Sequence, residues 1–216
     1  MVGTISKARL AGFSLILGPV ITVICYFIQQ FIASSPSGSW GDAAAAGETL
    51  RAAGPAVTIT SVIIPLALTM LLYGVFFILS EFRGNGEALV GYAKIPMLIG
   101  LAGWTYTVGI TITFANWGGA DAGSFITVWG VNQVSSIMFS LGFTAAFWAI
   151  ASRDEYNRVL AYGATALALL ATILSIVQLV TSDGAVAALM QSIIGITYII
   201  HTIYSIYLGR GLLARA

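Results

Sequence analysis

LAGFSLILGPVITVICYFIQQFI, residues Leu10–Ile32, runs for 23 residues without one charged side chain. About 20 mainly apolar residues in a helix suffice to cross the hydrocarbon core of a bilayer. The run is too long for the apolar region of a signal peptide, so it is expected to persist as a membrane-spanning helix. Five further stretches pass the same test: Ala56–Leu79, Ile95–Ala115, Phe125–Ala151, Val159–Thr181 and Ala185–Leu208. The signals between them are those of turns: Ser35-Pro36-Ser37-Gly38, Arg83-Gly84-Asn85-Gly86, Asn116-Trp117-Gly118-Gly119, Arg153-Asp154-Glu155 and Ser182-Asp183-Gly184. The expected fold is all-α and integral to the membrane, one domain of six transmembrane helices over residues 1–216.

Composition agrees with this reading. Hydrophobic residues make up 58% of the chain and charged residues 8%, where an ordinary soluble domain has about 25% charged. Such a chain needs a solvent that tolerates apolar side chains. The net charge of +1 argues against a nucleic-acid partner. Cys25 stands alone and cannot form an internal disulfide. Among Ile24, Tyr26 and Phe27 it reads as a packed thiol.

The basic residues test the topology independently. Six spans put Lys7, Arg9, Arg83, Lys94, Arg153, Arg158, Arg210 and Arg215 on one side and leave Arg51 alone on the other. The positive side is the cytoplasmic one, so both termini are expected in the cytoplasm. Five or seven spans would scramble this partition. Acids divide evenly, with Glu81, Glu87, Asp154 and Glu155 inside and Asp42, Glu48, Asp121 and Asp183 outside.

The first outer loop is the long one. Its middle, beginning at Asp42 and rich in alanine, predicts a short amphipathic helix with Asp42 as its N-cap. Trp40 and Trp117 suit the outer membrane–water interface. The helix reads either as a lid over an outward pocket or as a surface helix lying on the headgroups.

Lys7-Ala8-Arg9-Leu10-Ala11-Gly12 opens the first span, Gly41-Asp42-Ala43-Ala44-Ala45 opens the loop helix, and the second span closes on Leu68-Thr69-Met70-Leu71-Leu72-Tyr73. In these segments the chain resembles the bacterial six-span membrane proteins grouped as domain-of-unknown-function family 4386. The likeness covers the first third of the chain, and the remainder only by span count and length. It implies a six-span fold in a bacterial inner (cytoplasmic) membrane and no particular chemistry.

Several reaction classes lack their tools. Proton relays, ion-coupled carriers and voltage sensors place Asp, Glu, Lys or Arg within the membrane, and no span has one in its middle. A retinal Schiff base needs a lysine within a span, and neither Lys7 nor Lys94 qualifies. Metal catalysis needs several ligands, against one His and one Cys here. No enzyme activity, metal or bound cofactor is expected.

Neutral polarity remains, and it is layered. Gln29, Gln133 beside Asn132, Gln178 and Gln191 bring primary amides from four helices to a similar depth, about 10 Å below the outer surface, with Thr107 and Thr111 nearby. They read as a ligand-binding pocket or as interhelical hydrogen-bonding groups, worth about 0.6–2 kcal/mol per contact. His201 shares one helical face with Gln191, Tyr198 and Ser205, flanked by Thr197 and Tyr204. These three, His201, Tyr204 and Thr197, could bind a quinone head group or offer one axial ligand to haem. Alternatively His201 is a neutral side chain satisfied by Thr197, Tyr204 or a backbone carbonyl. Ala161, Ala164, Ala168, Ala171 and Ser175 form a small-residue seam in the fifth span, and Gln133, Ser136, Ser140 and Thr144 share a face of the fourth. Pro19 and Pro65 each remove a backbone donor in mid-span.

Three function classes fit. The first is a non-catalytic membrane protein, either an accessory subunit partnered by other integral membrane proteins or a binder of lipid or another apolar molecule. The second is a facilitator of a small neutral solute. The third is a quinone- or haem-associated redox subunit resting on His201. The first accounts best for the missing catalytic groups and short loops.

Overall fold

The computed structural model describes residues 5–32, 43–117, 122–181 and 183–216. These residues form α1 (Lys7–Ile32), α2 (Ala43–Ala52), α3 (Gly54–Ser80), α4 (Glu87–Trp117), α5 (Ala122–Ala151), α6 (Arg158–Val180) and α7 (Gly184–Arg215). All but α2 are long and apolar enough to cross a membrane, which is the architecture of a polytopic membrane protein. The readings that placed Trp40 at an interface, Asp42 as an N-cap and a turn at Ser35–Gly38 fall outside the described residues.

Two helices outrun the apolar segments that predict them. α4 starts at Glu87 rather than Ile95, and α7 continues past Leu208 to Arg215. Hydropathy marks the depth of hydrocarbon, whereas a helix satisfies its own backbone and continues into polar surroundings. What stops or starts each helix is local chemistry. Gly84 and Gly86 adopt φ of 77° and 85°, a region open to glycine, and the Gly84 N–H donates to the Glu87 carboxylate at 3.1 Å. Asn157 accepts from the Leu160 N–H at 3.2 Å and caps α6. Asp183 accepts from Ala185 and Val186 and caps α7.

The six long helices close into a ring. α1 packs on α3, α3 on α4, α4 on α5, α5 on α6, α6 on α7, and α7 returns to α1. Each neighbour runs antiparallel to the last, as the contacts show: Gly18 meets Ala67 and Leu71 while Gly74 meets Ala11 and Leu15. An even number of helices lets the last lie antiparallel to the first. The start of α1, the 81–86 and 152–157 connections and the end of α7 therefore share one end of the ring, called here the termini end. The ends of α1, α4 and α6 and the starts of α3, α5 and α7 define the far end.

From the termini end to mid-height the helices touch backbone to backbone. A β-carbon on Gly209 would lie 2.7 Å from the Gly12 carbonyl oxygen, and one on Gly18 would lie 2.6 Å from that of Ala67. α4 and α5 approach as closely at Gly100, where a β-carbon would sit 2.7 Å from the Ser135 carbonyl oxygen. A packed layer fills the ring below, with Ile78, Leu79, Phe82, Ile150 and Leu212 all buried. Arg153 ties the two connections there, donating to the Arg83 carbonyl at 3.2 Å and lying 5.3 Å from the centre of the Phe82 ring.

Proline adds an interhelical tie. Pro19 has no N–H to donate to the Leu15 carbonyl one turn earlier, and the Ser205 hydroxyl of α7 donates to that carbonyl instead, at 2.8 Å. In α6, Ala161, Ala164, Ala168, Ala171, Ser175 and Gln178 are all buried, so the small-residue face points into the ring. The outer face carries exposed Leu66, Ile95, Ile126 and Ile203, apolar surface that a lipid environment accommodates. At the far end α2 rests against α3, α4 and α5; Leu50 packs on Ala53, Val57 and Ala115. Trp117 is 84% exposed there.

Candidate functional site

The ring encloses a cavity of about 710 Å³. Its walls come from α1, α3, α4, α5 and α7, while α6 contributes Ala168 alone. The volume falls in the range of about 300–1,000 Å³ typical of small-molecule sites. The cavity runs from the level of Gln29, Asn132 and Gln191 toward the far end down to Val75 and Leu208.

One wall is aromatic. Phe139, Phe143 and Phe147 recur every four residues on α5 and form a ladder of mutually tilted rings with centroid spacings of 4.9 and 5.2 Å, continued by Trp104 at 4.6 Å from Phe139. Such i, i+4 pairs meet on one helix face. Opposite stand aliphatic Leu15, Ile64, Leu68 and Leu71. Among the described residues no Asp, Glu, Lys or Arg lines the cavity.

The polar groups form rungs across it. At the far end the Gln29 amide donates to the Thr60 and Ser61 hydroxyls at 3.0 and 2.9 Å, which joins α1 to α3. Thr107, Asn132, Ser136 and Gln191 face the same space. Midway, the Ser140 and Tyr198 hydroxyls lie 3.4 Å apart. Deeper still, His201 Nε2 lies 3.0 Å from the Ala164 carbonyl oxygen. A carbonyl only accepts, so Nε2 carries the proton and Nδ1 is the ring's free acceptor. Ser205, already bonded to Leu15, lies one turn further.

The structure sorts the residues named from sequence. Gln29, Thr107, Asn132, Gln191 and His201 stand on the cavity wall; Gln133, Gln178, Thr197 and Tyr204 do not. Gln178 is fully buried and donates to the Ala187 carbonyl at 3.0 Å and to the Gln191 side-chain oxygen at 3.3 Å. It holds α6 to α7 and positions a wall residue from behind. Thr197 turns its hydroxyl to the Ile194 carbonyl at 2.7 Å. The Tyr204 hydroxyl is buried with no hydrogen-bond partner among the described residues, and its ring meets Phe147 edge-on at 5.3 Å. His201, Thr197 and Tyr204 are therefore not brought together around one space.

The face of the last span was legible: Gln191, Tyr198, His201 and Ser205 all line the cavity. The aromatic wall was missed, although the spacing of Phe139, Phe143 and Phe147 announces it. Thr60 and Ser61 were missed as partners of Gln29, since nothing in sequence pairs residues of two helices. Among the described residues no group of three His, Cys, Asp or Glu side chains could hold a metal ion. A scan against family models, a search of curated proteins and a search of solved structures each return no match for this chain.

Proposed function

We propose that this protein is a non-catalytic, multi-pass membrane protein that binds one apolar small molecule, a lipid included, in its central cavity. The observation that carries this is the cavity itself: about 710 Å³, walled by Trp104, Phe139, Phe143, Phe147 and aliphatic side chains, with no charged group on it among the described residues. Most of the binding free energy would come from the apolar wall, at about 25 cal/mol per Å² removed from water. The polar rungs would fix the orientation of the ligand.

The same rungs are what a facilitator of a small neutral solute would use. The packed layer of Ile78, Leu79, Phe82, Ile150 and Leu212 favours binding, because it leaves a solute no way out at the termini end. The partition of basic residues supports placing that end in the cytoplasm, in a bacterial inner membrane. A thiol at Arg153→Cys, with Cys25 replaced by serine, should then react with impermeant reagents from the cytoplasmic side alone.

The binding reading is tested by purifying the protein from native membranes in mild detergent and extracting it with organic solvent. One apolar compound per chain, retained through purification and reduced several-fold by Ser140→Phe, is the expected result. Protein that arrives empty, and that no added lipid stabilises against heat, would rule the reading out.

A further inference from the structure

The walls of the cavity are not sealed equally. Of all the residues that line it, the exposed ones are Phe27 on α1 and Ser192 and Ile196 on α7. Phe27 is 39% and Ile196 56% exposed. A residue that both lines the interior and faces outward marks a gap, and these three stand on the two helices that close the ring.

The spacing of the same two helices agrees. At the termini end α1 and α7 are in backbone contact through Gly12 and Gly209. Toward the far end Gly195 of α7 has nothing within 3.4 Å of an added β-carbon; the nearest atom is the Tyr26 hydroxyl at 3.7 Å. The helices thus diverge beyond the Leu15–Ser205 tie, where Pro19 interrupts the hydrogen bonding of α1. A cleft opens between them, on the side of the ring rather than at its mouth.

Shape and charge narrow the ligand. From Gln191 to Leu208 the lining of α7 spans about 26 Å. Spread over that length, the cavity of about 710 Å³ has a mean cross-section below about 30 Å². So long and narrow a space suits one extended hydrocarbon chain. The primary amides gather toward the far end and the aromatic ladder lies deeper, so a polar head belongs beside Gln29, Asn132 and Gln191. With no charge on the wall among the described residues, a charged head would be buried without a counter-ion.

We propose that the cavity takes a single-chain amphiphile with an uncharged, hydrogen-bonding head, and that it enters sideways from the bilayer through the α1–α7 cleft at Tyr26 and Gly195. This rests on the binding reading above and adds the class of ligand and its route.

The test uses the full chain in liposomes, with Trp104 retained and the other four tryptophans changed to phenylalanine. The probe is a monoacylglycerol brominated on its chain, which quenches an indole it touches. Quenching of Trp104 is expected, and a chain of equal length ending in a quaternary ammonium should bind at least tenfold more weakly. Gly195→Phe should slow the onset of quenching at least tenfold, whereas Gly195→Ala, with its β-carbon at an ordinary contact distance, should not. Val23→Trp, read with a brominated probe by native mass spectrometry, blocks the same cleft from α1 should Gly195→Phe fail to fold. If Trp104 is quenched equally fast with the cleft blocked, the lateral route is wrong. If the protein retains an apolar compound from native membranes while the monoacylglycerol never reaches Trp104, the ligand class is wrong and the binding reading stands. If neither occurs, both fall.

Discussion

The two ends of the ring are built on different principles. At the termini end Gly12, Gly74 and Gly209 let neighbouring helices touch, and the space inside is filled by large apolar side chains. At the far end α1 and α7 stand apart, and side-chain amides join neighbouring helices: Gln29 to Thr60 and Ser61, Gln178 to Gln191. Close packing is intolerant of added atoms, while an amide tie spans a gap and leaves room beside it. The contrast explains where the cavity lies. Substitutions at the two ends should differ accordingly in cost.

The largest effect is expected at Gly18. A leucine there would drive its β-carbon against the Ala67 carbonyl and the Leu71 backbone, neither of which can swing away, so destabilisation of about 3 kcal/mol or outright failure to assemble is expected. Thermal unfolding in detergent measures it, with Gly109→Leu as the control, since a β-carbon on Gly109 meets nothing within 4 Å. Equal melting of the two would show that the close helix contact at Gly18 contributes nothing to stability. Ala168→Leu, in the buried seam of α6 and at the cavity wall, should cost about 1–3 kcal/mol. Leu167→Ala on a neighbouring, less buried face should cost less.

Ser205→Ala removes the only donor seen to reach the Leu15 carbonyl among the described residues. A loss of about 1–2 kcal/mol is expected. Pro19→Ala should recover part of it by returning an intrahelical N–H to the same acceptor. No recovery in the double variant would show that the tie is incidental. The far end should respond more gently. A double-mutant cycle on Gln178→Leu and Gln191→Leu should give a coupling of about 0.6 kcal/mol, the usual value for hydrogen bonds between transmembrane helices. Smallest of all, Tyr204→Phe removes a buried hydroxyl that lacks a partner and should leave stability unchanged or slightly higher.

These expectations follow from features that sequence reveals unevenly. Six apolar runs and the eight-to-one partition of basic residues define the spans because bilayer thickness and charge leave little freedom. The small face of α6 and the Gln191–Tyr198–His201–Ser205 face of α7 were legible from helical periodicity alone. The ring was not. Nothing in Gly12 or Gly209 says that each is the other's neighbour, and the amide layer read from depth did not reveal that Gln29 and Gln191 face the cavity while Gln133 and Gln178 lie behind its wall. Periodicity fixes which residues share a face. Which way that face points depends on a partner elsewhere in the chain.

The bond from Ser205 to the Leu15 carbonyl joins residues 190 positions apart, and chains are made in one direction. α1 is complete long before α7 exists, so during synthesis it holds a carbonyl that its own proline has left without a donor. Until Ser205 arrives, that oxygen must borrow a partner from water, lipid headgroups or the insertion machinery. The ring can therefore close only once α7 has been made. A truncated product lacking α7 would present an unsatisfied polar atom to the membrane, a mark by which quality-control proteases could tell it from the finished protein.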